Sequence, residues 1–252
     1  MNKKFDLQNY LTAELQKLKA PRHLEIFNGE SYIGGGNSNL IYLNLSIPEV
    51  RLTLKKNLPL FSESLNKQFT EFEKVWKKSN VFEVRMIALY WLEGLSTEQL
   101  IPLAARLTKW AGNIDNWADS DTLCGIYARI FEASPKSLLK TYKIWNKHKN
   151  PWLRRCSMVA LFYYSRSRKK QPSFKLAVSL VKPHLLAKEH YVQKAVGWTT
   201  REMYNVYPIE TTQFITDNLM KIHPTAWYAA SEKMLLSLKK KLVEKRRNLR
   251  KM

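Results

Sequence analysis

Two stretches, Val75-Trp76-Lys77-Lys78-Ser79-Asn80-Val81-Phe82-Glu83-Val84-Arg85 and Ile144-Trp145-Asn146-Lys147-His148-Lys149-Asn150-Pro151-Trp152-Leu153-Arg154-Arg155, decide the fold. Each ends one helical face on a Trp, turns through an Asn, restarts on an aromatic and places an Arg about one turn later. The apolar faces then continue in the same way, as Met86-Ile87-Leu89-Tyr90 and as Met158-Val159-Leu161-Phe162. The restarting aromatic recurs as Phe82, Trp117, Trp152, Tyr191 and Trp227, at spacings of 35, 35, 39 and 36 residues. Behind these rings stand Arg85, Asp121, Arg155 and Lys194, and in the last copy Ser231 and Glu232. Such a period marks stacked helix-pair repeats, because one pair cannot bury its apolar face alone. The expected fold is all-α, a HEAT-like helical-repeat solenoid with a basic concave face. Residues 1–252 would form one domain, in which 239–252 is a basic extension of the last helix. Phe82, Trp117, Trp152 and Tyr191 would start the second helices of successive repeats, with the four charged residues facing one concave surface.

The helix boundaries are written locally. Phe5, Tyr10, Leu11, Leu15 and Leu18 outline a first amphipathic helix. Ser46 with Pro48 starts another through Arg51 and Leu54, and Ser96 with Gln99 forms a capping box for a helix ending near Trp110. Ser134-Pro135, Asn150-Pro151 and His223-Pro224 are further cap-plus-proline starts. Between residues 28 and 39 lie Gly29, Gly34, Gly35 and Gly36, half of the chain's eight glycines, which read as a flexible connection and not as a GxxxxGK phosphate loop.

The charge sets the class of partner. Forty-two Lys and Arg against 21 Asp and Glu give +21, and eight Trp, twelve Tyr and ten Phe accompany it. That combination favours nucleic acid over a merely soluble basic surface. The tail Lys239–Lys251 holds eight basic residues against Glu244 alone, about a third of the total, so most of the excess lies in the body. Cys124 and Cys156 have no CxxC neighbour, and the five histidines show no paired ligand spacing, so neither a metal nor a cofactor is expected. The N-terminal MNKKFDLQNY lacks an apolar signal core, and no apolar run approaches 18 residues. A cytoplasmic protein, nucleoid-associated if bacterial, without a membrane partner is therefore expected, and a monomer is expected as well.

The segment Asp115-Asn116-Trp117-Ala118-Asp119-Ser120-Asp121 stands out against this basic background. The macrodipole accounts for acids at a helix start, yet Asp121 lies four residues past Trp117 and shares its face. A carboxylate in the wall of a basic groove repels phosphate, so its presence there points to a specific use. A salt bridge from Asp121 to Arg155 is the structural alternative.

DNWADSD, PWLRRCSMV and YVQKAVGWTTRE, in that order, resemble the signature segments of the AlkD family of DNA alkylation-repair glycosylases, built from HEAT-like repeats. The likeness runs from Phe82 to the C-terminal region. It implies that Trp117 and Trp198 are active-site aromatics, that Asp121 is the catalytic carboxylate, and that Arg155 works beside it. The implied reaction is hydrolysis of the N-glycosidic bond of N3- or N7-alkylated purines in double-stranded DNA, with no cofactor. The expected DNA contacts are Arg85, Arg154, Lys194 and Arg201. No lysine is placed as a Schiff-base nucleophile, so lyase activity is not expected. The N-terminal NLSIPEVR matches in general shape only. Relatives without the carboxylate bind branched or distorted DNA without cleaving it, and this is the alternative function.

Overall fold

A computed structural model describes residues 5–18, 28–34, 38–55 and 58–251 of the chain. Gly35 and Gly36 of the glycine run lie outside the described residues. The protein is all-α: among the described residues the only extended pairing is an isolated parallel bridge between Ile41 and Val81. No described helix is long and apolar enough to cross a membrane. The chain divides into two compact units, Met1–Thr122 and Leu123–Met252, and the boundary falls inside one helix.

The first unit contains α1 (Leu7–Leu18), α2 (Ile47–Leu54), α3 (Leu65–Lys78), α4 (Phe82–Gly94) and the start of α5 (Trp117–Ala133). The helix starts follow the sequence chemistry. The Ser46 backbone N–H donates to Glu49 at 2.8 Å. The Gln99 amide donates to Ser96 Oγ at 3.3 Å, while the Gln99 side chain accepts from the Ser96 N–H at 2.8 Å. The stretch after Ser96 is not one helix, however. It alternates α and 3-10 turns from Thr97 to Asn113, because Pro102 has no N–H to donate and obstructs the turn before it.

Helix α4 is buried at every position from Phe82 to Leu92, as a core helix must be. Around it pack Trp76 and Trp110, stacked with their rings 5.6 Å apart, and Phe72 against Trp91 at 4.6 Å. Trp76 Nε1 donates to the Trp110 carbonyl at 3.1 Å, which satisfies the buried indole. The polar groups on α4 are used for anchoring. Glu83 accepts from the Leu43 and Leu45 amides at 3.0 and 3.4 Å and so fixes the segment leading to α2.

The second unit continues α5 and holds α6 (Pro135–Asn146), α7 (Pro151–Phe162), α8 (Phe174–Val181), α9 (His190–Val206), α10 (Pro208–Asp217), α11 (Pro224–Ala230) and α12 (Leu236–Leu249). Asn150 accepts from the Trp152 amide at 2.8 Å, and Pro151 occupies the first helical position. Phe82, Trp117, Trp152 and Tyr191 all fall within the first two residues of α4, α5, α7 and α9, so the periodic aromatics do mark helix starts. Trp227 falls later, at the fourth residue of α11.

Two backbone positions depend on particular local conditions. A Cβ on Gly197 would lie 2.4 Å from the Ala226 carbonyl oxygen and 2.9 Å from Ala226 Cα. Only glycine lets α9 and α11 approach this closely. Tyr164, just after α7, has φ 46° and ψ 59°, the left-handed region, which costs a non-glycine residue about 1–2 kcal/mol. The turn is held against that strain: Ser165 donates its amide and its hydroxyl to Glu202 at 3.2 and 2.6 Å, and Gln171 donates to the Ser165 carbonyl at 2.6 Å.

The C-terminal basic helix is docked within its unit as well as being charged. Leu242 is buried, and Arg246 donates to the Ile222 carbonyl at 2.5 Å with its guanidinium 5.7 Å from the Trp227 ring.

Gly197→Ala is expected to destabilise the protein by about 1–3 kcal/mol through overpacking, even though alanine is the better helix former by about 1 kcal/mol. A urea midpoint that falls for Gly197→Ala checks this, and an unchanged or higher midpoint would refute the close-approach argument.

Candidate functional site

The acidic helix start is built from its own side chains outward. Asn116 Oδ1 accepts from the Asp119 amide at 2.9 Å, capping α5. Asn116 Nδ2 donates to Asp115 Oδ1 at 2.9 Å, and Ser38 Oγ donates to Asp115 Oδ2 at 3.2 Å. Asp115 therefore ties the segment that follows the glycine run to the start of α5.

Asp119 is fully buried. Its Oδ2 stands 2.8 Å from Arg85 Nη2, an ion pair whose angle lies outside hydrogen-bond geometry. Burial pushes the Asp119 pKa up to about 6, and the Arg85 charge opposes that rise. Arg85 also donates to the Asn113 carbonyl at 2.6 Å and lies 4.1 Å over the Trp76 ring.

This corrects the expectation that Arg85 lines an open DNA-binding surface, since only 5% of it is exposed. Arg155 is 6% exposed, and its Nη1 donates to the Tyr191 carbonyl at 3.1 Å. Within each unit the periodic arginine thus reaches the backbone around the next helix start. The residue type recurs because a long planar donor set can join one helix to the next, and a surface role need not be involved.

Asp121 is half-buried, one turn beyond Trp117. Trp117 is also half-buried. Its indole N–H donates to the Tyr32 carbonyl at 3.0 Å, and the Tyr32 ring meets it edge-on at 5.6 Å and 88°. Tyr32 belongs to the π-type turn Glu30–Gly34 and is 64% exposed.

Sequence reasoning missed this residue because the region read as a flexible connection. Its described part is a packed turn: Asn28 Oδ1 accepts from the Ser31 amide at 3.0 Å, and Ile33 is buried. Gly29 is required there, since a Cβ would meet the Tyr42 ring at 2.9 Å, and its N–H donates to Asn44 Oδ1 at 2.8 Å. The available signal was an aromatic set directly before a glycine run.

In the second unit Trp198 is half-buried, with Tyr163 5.8 Å away and the Arg201 guanidinium 5.4 Å from its ring. Arg201 is held by Glu202 at 3.2 Å and Glu232 at 2.7 Å. Arg154 meets Glu189 at 2.6 Å, and that contact holds the Glu189 carboxyl below its ordinary pKa. Lys194 is exposed. The four expected DNA contacts thus differ: Lys194 is presented openly, Arg154 and Arg201 carry acidic partners, and Arg85 is internal.

The family model described as DNA alkylation repair enzyme matches residues 11–234. The chain belongs to the DNA alkylation repair enzyme family. A predicted DNA alkylation repair enzyme from Enterococcus faecalis has a similar fold, with a TM-score of 0.68 at 16% identity over 86% of this chain and 97% of that one. The protein smu.31 of Streptococcus mutans UA159 gives 0.52 at 16% identity over 91% and 100%. AlkD2 of Streptococcus mutans gives 0.52 at 20% identity over 79% and 94%. Among curated protein sequences none shows a significant match. The fold is therefore shared with these solved structures, and membership of the family gives this protein a role in DNA alkylation repair, with DNA as its partner.

Arg85→Ala is expected to cost about 3–5 kcal/mol at pH 7, the loss from stranding a buried charge. The sign of its pH dependence follows from Asp119. A carboxyl near 6 when folded and near 3.9 when unfolded binds more protons in the folded state between those values, so stability falls as pH rises through that window. Without Arg85 the folded pKa rises further. Denaturation at pH 5 and pH 7 should show a smaller deficit at pH 5, and a deficit that grew on acidification would contradict the assignment.

Proposed function

We propose that this alkylation-repair protein is a monofunctional DNA glycosylase for cationic N3- and N7-alkylated purines. The observation that carries this is the placement of Asp121, a half-buried carboxylate one turn beyond Trp117 at the start of α5. Asp115 and Asp119 help to hold that helix start. An alkylated purine is already cationic and leaves readily, so the difficult charge develops on the deoxyribose. Asp121 serves as the fixed carboxylate that stabilises the oxocarbenium ion and positions water on the sugar. A preorganised charge aimed at this point stabilises the transition state more than the ground state.

Trp117 and Trp198 present indole faces to the cation. Each ring is held within its own unit, Trp117 by its N–H on the Tyr32 carbonyl and Trp198 beside Tyr163 and Arg201. Arg155 is a positioning residue, buried and anchored on the Tyr191 carbonyl. Lys194, with the exposed lysines and arginines of α12, supplies phosphate contacts, so affinity falls steeply with salt.

Asp121→Asn is expected to lower release of alkylated purine from methylated duplex by a factor on the order of 10² to 10³, the effect of one well-placed electrostatic group. Its DNA affinity should be equal or slightly higher, because a charge that repels phosphate is gone. Trp117→Ala and Trp198→Ala should slow release less. Base release measured beside equilibrium binding checks all three. Undiminished release by Asp121→Asn would make the carboxylate structural, and tight binding without any release by the unaltered protein would favour a binder of distorted DNA.

A further inference from the structure

The turn that follows α7, residues 163–170, reads Tyr-Tyr-Ser-Arg-Ser-Arg-Lys-Lys. It combines three features that packing does not explain. Tyr164 occupies the left-handed region, where glycine would sit without strain, yet its ring is 63% exposed and recovers little burial in return. The backbone after it is held at several points. Tyr164's carbonyl accepts from the Ser167 amide at 3.0 Å and hydroxyl at 2.8 Å, and Glu132 accepts from the Lys169 and Lys170 amides at 2.7 and 3.0 Å. Arg166, Lys169 and Lys170 are exposed in the same turn, with Arg166 also donating to Asn205 Oδ1 at 3.0 Å. Tyr164 also stands edge-on to Tyr163 at 4.5 Å, and Tyr163 in turn packs against Trp198. The strained residue therefore extends outward the aromatic series that begins at a proposed catalytic ring.

We propose that this turn is a second DNA contact, in which Tyr164 acts as a wedge against a weakened base step while Arg166, Lys169 and Lys170 hold the flanking phosphates. A rigid exposed ring set among cations matches the chemistry of a distorted duplex, which offers a base face and two phosphate rows together. An intact acidic protein surface offers the charges but no ring to stack on. The inference rests on DNA as the partner and not on the catalytic assignment of Asp121.

The test uses the full chain and a duplex carrying a tetrahydrofuran abasic analogue, with 2-aminopurine placed at successive steps beside it. The unaltered protein should raise 2-aminopurine fluorescence at one step. Tyr164→Ala and Tyr164→Gly should both abolish that rise and weaken binding about tenfold, within the range of one lost base–aromatic stack. Tyr164→Phe should keep both properties. The glycine variant relieves the strain, so a thermal midpoint at or above that of the unaltered protein separates contact from folding. Lys169→Gln with Lys170→Gln should reduce the salt slope of log affinity by about 2. An unchanged fluorescence rise in Tyr164→Ala, or an unchanged salt slope in the double lysine variant, would overturn the proposal whatever the base-release activity. If these results hold while purine release is absent, the wedge stands and the glycosylase assignment fails.

Discussion

The ion pair between Arg85 and Asp119 governs the arrangement of the first unit. One partner comes from the core helix α4 and the other from the first turn of α5, and both are withdrawn from water. Withdrawing two charges is costly, so the pair is tolerable only with further donors and acceptors supplied around it. Arg85 finds the Asn113 carbonyl and the Trp76 ring, and Asp119 sits at a helix N-terminus capped by Asn116. The pair fixes the first turn of α5 against α4. Trp117 and Asp121 are carried on that same helix start, so their directions depend on it.

A consequence is that a basic protein can place acids at the centre of its candidate site without losing affinity for a polyanion. Asp119 is offset by Arg85 and Asp115 is held by neutral donors, while Lys194 and the exposed cations of α12 and of the turn after α7 contribute to the long-range field. Architecture and field are carried by different residues. The same separation holds in the second unit, where Arg154 and Arg201 are held by Glu189 and Glu232 and so act first as braces. Charge counted along the sequence therefore overstates the number of cations available to phosphate.

Aromatic residues divide in a similar way. Trp76, Trp110, Trp91 and Phe72 form the core of the first unit, with their rings in mutual contact. Trp117, Trp198, Tyr32 and Tyr164 remain at least partly exposed, each fixed by a neighbouring ring or a backbone bond. Fixing an exposed ring removes the ordering cost that a mobile one would meet on binding.

The sequence alone determined the all-α class, the positions of the helix starts and the candidate acid and rings. Those depend on local rules: a cap residue, a proline at the first turn, an apolar period and a recurring aromatic act over a few residues. The family resemblance lay in three contiguous segments and was legible for the same reason. What the sequence could not determine is which of several like residues does which task. Asp115 and Asp119 are chemically identical, and only packing shows that the first is bound to Ser38 and Asn116 and the second to Arg85. Arg85 and Lys194 each stand three residues past an aromatic at a helix start, yet one is internal and the other exposed. Tyr32 meets Trp117 across 85 residues of chain. Burial and long-range partners are properties of the folded chain, set by which surfaces meet, so the tertiary structure alone decided those roles.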